Sequence, residues 1–180
     1  MFDDTLSLSS QQPMAGGAEF SDDGVYRYRL WREWDTSLPT VLFIMLNPST
    51  ADAAQDDPTV RRCIDYARRW GYGKLLVGNI FALRSTDPKR LYEADDPVGQ
   101  ANDGVLLDMH DRAELTVCAW GVHGHLRNRG DTVATMLKRH RPGSLHCLGI
   151  TKGGAPKHPL YLPKSAMPMP MRTDHTGGPN

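Results

Sequence analysis

Four short apolar runs, each closed by a cluster of polar or glycine-rich residues, constrain this chain more than any other feature. Val41-Leu42-Phe43-Ile44-Met45-Leu46 runs into Asn47-Pro48-Ser49-Thr50, and Leu75-Leu76-Val77 runs into Gly78-Asn79. Leu115-Thr116-Val117-Cys118-Ala119 ends at Trp120-Gly121, and Leu145-His146-Cys147-Leu148 opens onto the stretch from Gly149 to Pro159. Helical patterns lie between the runs. Strands alternating with helices predict an α/β fold of three layers, with a central four-stranded parallel sheet between helices. The run 41–46 does not alternate, as expected of a central strand buried on both faces. Open sheets of this kind bind ligands beyond the carboxyl ends of their strands, so all four clusters are expected at one edge.

The strands are placed at about 41–46, 74–81, 115–119 and 144–149. Tyr26-Arg27-Tyr28-Arg29-Leu30-Trp31 alternates and suggests an additional edge strand or short hairpin. Asp57 reads as the N-cap of a helix with Pro58 at its first position, Val60, Ile64 and Ala67 on its inner stripe, and Gly71 at its stop. Further helices are expected near 99–111 and 128–140. The stretch 150–172 holds seven prolines and glycines and should carry little regular structure.

A chain of 180 residues suits one domain, here 24–172, with loose tails at 1–23 and 173–180. No apolar stretch is long enough to span a membrane, and the first residues have no secretory-signal pattern. Cys63, Cys118 and Cys147 sit inside apolar patterns and read as buried thiols of a reducing, cytoplasmic compartment. Their spacing excludes a four-cysteine zinc site or an iron–sulfur cluster. The net charge is zero, but five of the 21 acidic residues fall in 1–23, which has no Lys or Arg. The remainder therefore carries 21 basic against 16 acidic residues, which suits either an anionic partner or an ordinary solvated surface.

Each cluster offers a chemistry beside a plainer structural role. A rigidly held Asn47 could position an attacking water, and Asp52, Asp56 or Asp57 could supply a general base or electrostatic support. Their plainer roles are turns and caps, and for Asp57 the cap is the reading taken. Asn79 could read a base edge, and Phe81 could stack on a base, although core packing suits Phe81 better. Arg84 could bind a phosphate. Gly121, after Trp120, would let a ligand approach the backbone closely. His123 and His125 lack a third metal ligand at typical spacing and read as a solvated loop. Arg127 or Arg129 could contact phosphate. In the last cluster, glycines could expose amides to an anion, Lys152 and Lys157 add charge, His158 could stabilise a departing anion, and Leu160 or Tyr161 could wedge into a base stack.

Taken together, the clusters resemble the motifs of the uracil-DNA glycosylase superfamily. Asn47-Pro48-Ser49 is similar to the N-P-G motif of mismatch-specific uracil and thymine glycosylases, Asn79 to Arg84 to an N-x-V-K-x-R stretch, and His158-Pro159-Leu160 to a shortened H-P-S-P-L motif. The same residues also resemble an uncharacterised bacterial and phage domain family with L-N-P-S-T, D-D-P-T and H-P-L-Y patterns over about 25–165. The glycosylase resemblance implies hydrolysis of an N-glycosidic bond of DNA, without metal or other cofactor, by a monomer. Asn47 and His158, with Asp52 assisting, would be catalytic. Ser49, Asn79, Phe81, Trp120 and Gly121 would bind the base, and Arg84, Lys152, Lys157, Leu160 and Tyr161 the DNA. Ser49 falls where uracil-specific relatives hold a Tyr that blocks 5-substituted pyrimidines. A bulky 5-substituent, such as that of glucosylated hydroxymethylcytosine in phage DNA, is therefore expected to fit, with phage defence as the role. Two other readings are a small-molecule nucleoside or nucleotide hydrolase or transferase, and a non-catalytic nucleic-acid-binding module.

Overall fold

The runs expected at the centre do form strands, but in a wider sheet than four. The computed structural model describes residues 14–49 and 54–171. Its strands are β1 (Ala15–Phe20), β2 (Arg27–Glu33), β3 (Thr40–Met45), β4 (Lys74–Asn79), β5 (Leu115–Cys118), β6 (Leu145–Cys147) and β7 (Met169–Pro170). They form one mixed sheet in the order β1-β2-β4-β3-β5-β6-β7. Neighbours among β4, β3, β5 and β6 are parallel. The pairs β1–β2, β2–β4 and β6–β7 are antiparallel. The expected four-stranded parallel sheet is thus corrected to seven strands of mixed direction. β2 is not an edge strand, because β1 covers it. β1 also lies within the stretch 1–23 that was expected to be a loose tail. Its Gly16-Gly17 pair gives no apolar alternation to read, and it is held by laddering to β2.

The helices are α1 (Pro58–Arg69), α2 (Lys89–Glu93), α3 (Asn102–Arg112) and α4 (Arg129–His140). β3 shows why they take both faces. Val41, Phe43 and Met45 pack in one cluster with Val60, Cys63, Ile64 and Ala67 of α1. Leu42 and Ile44 pack in another with Leu106 and Met109 of α3 and Val133 and Leu137 of α4. Burying a Leu, Ile or Phe side chain is worth about 1.5–3 kcal/mol, so these two clusters supply most of the driving force. α1 begins as expected: the Asp57 side chain caps it by accepting from the Val60 N–H at 2.8 Å, and Pro58 follows. Tyr66 and Trp70, stacked on one another with centroids 5.2 Å apart, anchor the segment after β6 to α1. The Tyr66 hydroxyl donates to the Pro163 carbonyl at 2.8 Å, and the Trp70 indole N–H to that of Ala166 at 3.2 Å.

Cys63, Cys118 and Cys147 are buried free thiols, and burial pushes all three pKa values up. Among the described residues no helix is long and apolar enough to cross a membrane.

A buried histidine ties α3 to the sheet. His110 is bonded through Nδ1 to the Thr116 hydroxyl at 2.8 Å and through Nε2 to the Ser144 hydroxyl at 3.1 Å. Burial, aided by the nearby Arg141, pulls its pKa down to about 4 from 6.5. The folded state therefore binds its proton less readily than the unfolded chain. Stability is fully present above pH 6.5 and falls as pH drops from there toward 4, by about 2 kcal/mol by pH 5. Urea unfolding at pH 7 and pH 5 is expected to show that loss, and His110→Gln, which cannot titrate, is expected to flatten it. An unchanged slope in the variant would remove His110 as the cause.

Candidate active site

The carboxyl ends of β3, β4 and β5 converge with the segment after β6 on a cavity of about 770 Å³. Drug-sized ligands occupy cavities of roughly 300–1,000 Å³, so this one has room for more than a bare pyrimidine. Asn47, Ser49, Asn79, Trp120, Gly121, Lys157, His158 and Tyr161 all line it. Eight residues singled out in four separate clusters of the sequence are thus brought together. Other predicted members are not. Phe81 is fully buried in the core and cannot stack on a base. Arg84 donates to the Gly24 carbonyl at 3.0 Å and lies 4.9 Å over the Phe20 ring, so it braces the β1–β2 connection rather than the cavity. Lys152 is exposed and Leu160 half-buried, both off the cavity wall. Asp52 lies outside the described residues.

Asn47 is held by the extension of the sheet beyond its last registered pair. Ile80 N–H donates to Met45, Phe81 N–H to Leu46 and Ser85 N–H to Pro48, so the segments after β3 and β4 remain laddered. The Asn47 side-chain Nδ2 lies 2.9 Å from the Ser85 carbonyl, 3.1 Å from that of Pro48 and 3.4 Å from that of Leu83. Only the NH2 end can donate to carbonyls, which fixes the amide's orientation. Its Oδ1 has no hydrogen-bond donor among the described residues and is left to accept from a water or a ligand.

His158 is oriented from its other side. It caps the 3-10 turn Pro159–Tyr161 by accepting the Leu160 N–H on Nδ1 at 3.3 Å. Burial draws its pKa below the ordinary value, with Asp57 acting in the opposite sense. A neutral ring that accepts on Nδ1 carries its proton on Nε2, so His158 offers a hydrogen-bond donor. The turn after it holds Tyr161 out at the cavity rim, 86% exposed. Of the two candidate wedges, Tyr161 is the one on the cavity.

Asn79 is buried at the end of β4. Its carbonyl accepts from Asn102 Nδ2 at 2.9 Å, while its own side-chain amide has no partner among the described residues. Trp120 packs under Gly124 and Gly130, where a β-carbon would fall 2.1 and 2.6 Å from its indole. Gly121 takes a φ of 73°, a region that side chains disfavour. The amides of the last cluster are mostly spent on a tight loop. Thr151 N–H donates to Ala155, Gly154 N–H to Thr151 and Lys157 N–H to Gly149, which removes the anion nest expected there. Arg127 and Arg129 are also committed, the first to the carbonyls of Ala94 and Asp95, the second to that of Ile80 and to the Asp103 carboxylate.

Asp57, Arg27 and His123 reach the cavity without having been assigned to it. Asp57 is a cap and also a wall residue: Oδ1 takes the Val60 N–H and Oδ2 the Ser49 hydroxyl at 2.8 Å. His123, expected in a solvated loop, is half-buried, with Nδ1 3.0 Å from the Tyr92 hydroxyl. Arg27 is turned inward by an irregularity in β2. Glu19 of β1 pairs with Arg29 but Phe20 pairs with Arg27, so Tyr28 is an extra residue in the ladder. Such a bulge breaks the two-residue alternation. Arg29 accordingly meets Asp108 of α3 at 2.8 Å, while Arg27 faces the cavity beside Asp57 and Val60. An arginine inside a buried alternating run was the available signal for it. The bulge itself has no sequence signature here.

No group of three or more His, Cys, Asp or Glu among the described residues is placed to hold a metal ion. No curated protein is similar enough to the chain to match it. Residues 27–160, which include β2 through the turn bearing His158, match DUF1643, a family of unknown function, and the chain belongs to that family.

Proposed function

We propose that this protein is a monofunctional DNA glycosylase that hydrolyses the N-glycosidic bond of a flipped, 5-modified pyrimidine and leaves an abasic site. The observation that carries the reading is a pair of oppositely suited groups on one cavity: an Asn47 Oδ1 free to accept and a neutral His158 held to donate. N-glycosidic cleavage needs both. The bond between C1′ and the base breaks, its electron pair leaves with the base, and positive charge develops on the sugar. Water held by Asn47 adds its oxygen to C1′, and the proton that water loses ends on the released base. His158 stabilises the charge on the base as it departs. The Asn79 amide meets the base edge, and Trp120 forms the apolar wall. The parallel strands β4, β3, β5 and β6 at the middle of the sheet support a uracil-DNA-glycosylase-like architecture. Ser49 and the cavity volume suit a bulky 5-substituent, with glucosylated hydroxymethylcytosine of phage DNA as the candidate and phage defence as the role.

Extrahelical bases are reached at a cost of a few kcal/mol in lost stacking, and Tyr161 is placed to fill the vacated space. Tyr161→Ala is expected to slow base release from duplex DNA roughly tenfold, in line with stacking worth about 1–3 kcal/mol per base. Release from single strands should change less, and thermal stability should hold, because the ring is exposed. Equal losses on both substrates would remove the wedge role.

Incubation of the purified chain with duplexes carrying uracil, a thymine mismatch, hydroxymethylcytosine or its glucosylated form, followed by alkaline cleavage, tests the activity. Strand cleavage at the bulky base is expected. Cleavage at none of them, or turnover of free nucleosides alone, would reject the glycosylase reading. Cleavage at uracil alone would reject the modified substrate.

A further inference from the structure

Arg27 is 3% exposed and lines the cavity, and its guanidinium has neither hydrogen bond nor ion pair to the described residues. Its Nε and Nη1 are buried without an acceptor. Other buried arginines are matched: Arg32 meets Asp56 at 2.8 Å, and Arg129 meets the Ile80 carbonyl at 2.8 Å. Buried polar groups are nearly always satisfied, and an unpaired buried charge is among the most costly features a fold can carry. An unsatisfied guanidinium on a cavity wall therefore points to a ligand that brings acceptors. Burial pulls the pKa of Arg27 down to about 10, so it stays charged at neutral pH.

The ligand is not simply an anion. Asp57 faces the same cavity, near enough to be felt by both Arg27 and His158 but not in contact with the guanidinium. Each of its oxygens accepts one hydrogen bond and can accept another. A carboxylate or phosphate on the ligand would be drawn to Arg27 and repelled by Asp57. A neutral group with acceptors on one side and a donor on the other satisfies both.

Resting on the glycosylase reading of this cavity, we propose that Arg27 and Asp57 determine base identity by selecting an amino-pyrimidine edge. Arg27 donates to O2 and N3 of a cytosine-type base, and Asp57 accepts from the exocyclic amine. Uracil and thymine reverse the pattern at two positions: an N3–H would face the guanidinium and a carbonyl would face the carboxylate. Asn79 cannot make this distinction alone, since its amide carries both a donor and an acceptor and can turn over. The arginine and the carboxylate have fixed polarity, as in the pairing of Arg and Asp or Glu with base edges elsewhere. The same placement sets a positive charge beside O2 and N3, where a departing cytosine anion carries much of its charge.

The test uses strands of thymidines with one 2′-fluoroarabino nucleotide, whose glycosidic bond resists hydrolysis, bearing either cytosine or uracil. By fluorescence anisotropy at neutral pH, the cytosine probe is expected to bind the full chain about tenfold or more tightly than the uracil probe. Arg27→Met is expected to abolish that preference, with thermal melting showing the variant folded. Asp57→Asn keeps a competent helix cap and is expected to narrow the preference, because an amide can donate to a carbonyl. Equal binding of the two probes, no binding of either, or a preference that survives Arg27→Met overturns the inference. A chain that prefers cytosine yet forms no abasic sites refutes the glycosylase activity and not the base selection; one that excises bases without preference refutes the selection alone.

Discussion

Replacement of Asn47 by alanine is expected to lower the rate of abasic-site formation by roughly two to three orders of magnitude, the scale seen when one oriented polar group is removed from a reacting centre. DNA affinity should hold, because the rim residues Lys157 and Tyr161 are untouched. The three carbonyls of Pro48, Leu83 and Ser85 surround Nδ2. They orient the amide before any ligand arrives, so no ordering is left to be done when water binds. They also predict a second effect. The alanine variant strands buried carbonyls and should lose about 1–3 kcal/mol of stability. Asn47→Asp should fare no better, since it turns a carboxylate oxygen toward the same three carbonyls. Single-turnover cleavage, binding and melting measured on both variants separate the two effects. An alanine variant that is destabilised as expected but excises within about threefold of wild type would leave Asn47 a purely structural residue.

The parts of this site that could be read from sequence are those whose local pattern and global placement agree. Val41 to Leu46 is apolar without alternation, so it had to be central, and whatever followed it had to emerge at the sheet edge. That logic brought Asn47, Asn79, Trp120 and His158 to one cavity from four separate stretches. It failed where tertiary context decides. Phe81 follows β4 closely, yet the ladder of Ile80 and Phe81 to the segment after β3 carries its ring into the core. Arg84 has the charge of a phosphate contact, but the Phe20 ring at the end of β1 and the Gly24 carbonyl in the β1–β2 connection are its partners instead. Asp57 was read as a cap, and it is one; a carboxylate has more acceptor sites than one cap uses, and the remainder faces the cavity. Arg27 depended on one extra residue in a ladder with β1, a strand whose glycines gave no pattern to find.

His158→Ala should cost base release as much as the loss of Asn47, about two to three orders of magnitude, because it removes the donor that meets the departing base. Alanine also deletes the acceptor for the Leu160 N–H and loosens the turn that carries Tyr161. His158→Asn separates these roles. Asparagine is a good capping residue and can accept that N–H with Oδ1, but its side chain is too short to place a donor where Nε2 stood. It should restore the turn, seen as recovered DNA affinity, and leave excision low. Recovery of excision by asparagine would reduce His158 to a cap. The acid limb offers an independent check. Burial holds the His158 pKa below the ordinary histidine value, so the neutral ring is the main form at neutral pH and above, and kcat should be level from pH 8 down to neutrality. Below that, a proton on Nδ1 would confront the Leu160 N–H instead of accepting from it, and excision should fall as the turn opens. A rate that climbs as pH drops through this range would mean that the charged ring is the active form, and the neutral donor assigned here would be wrong.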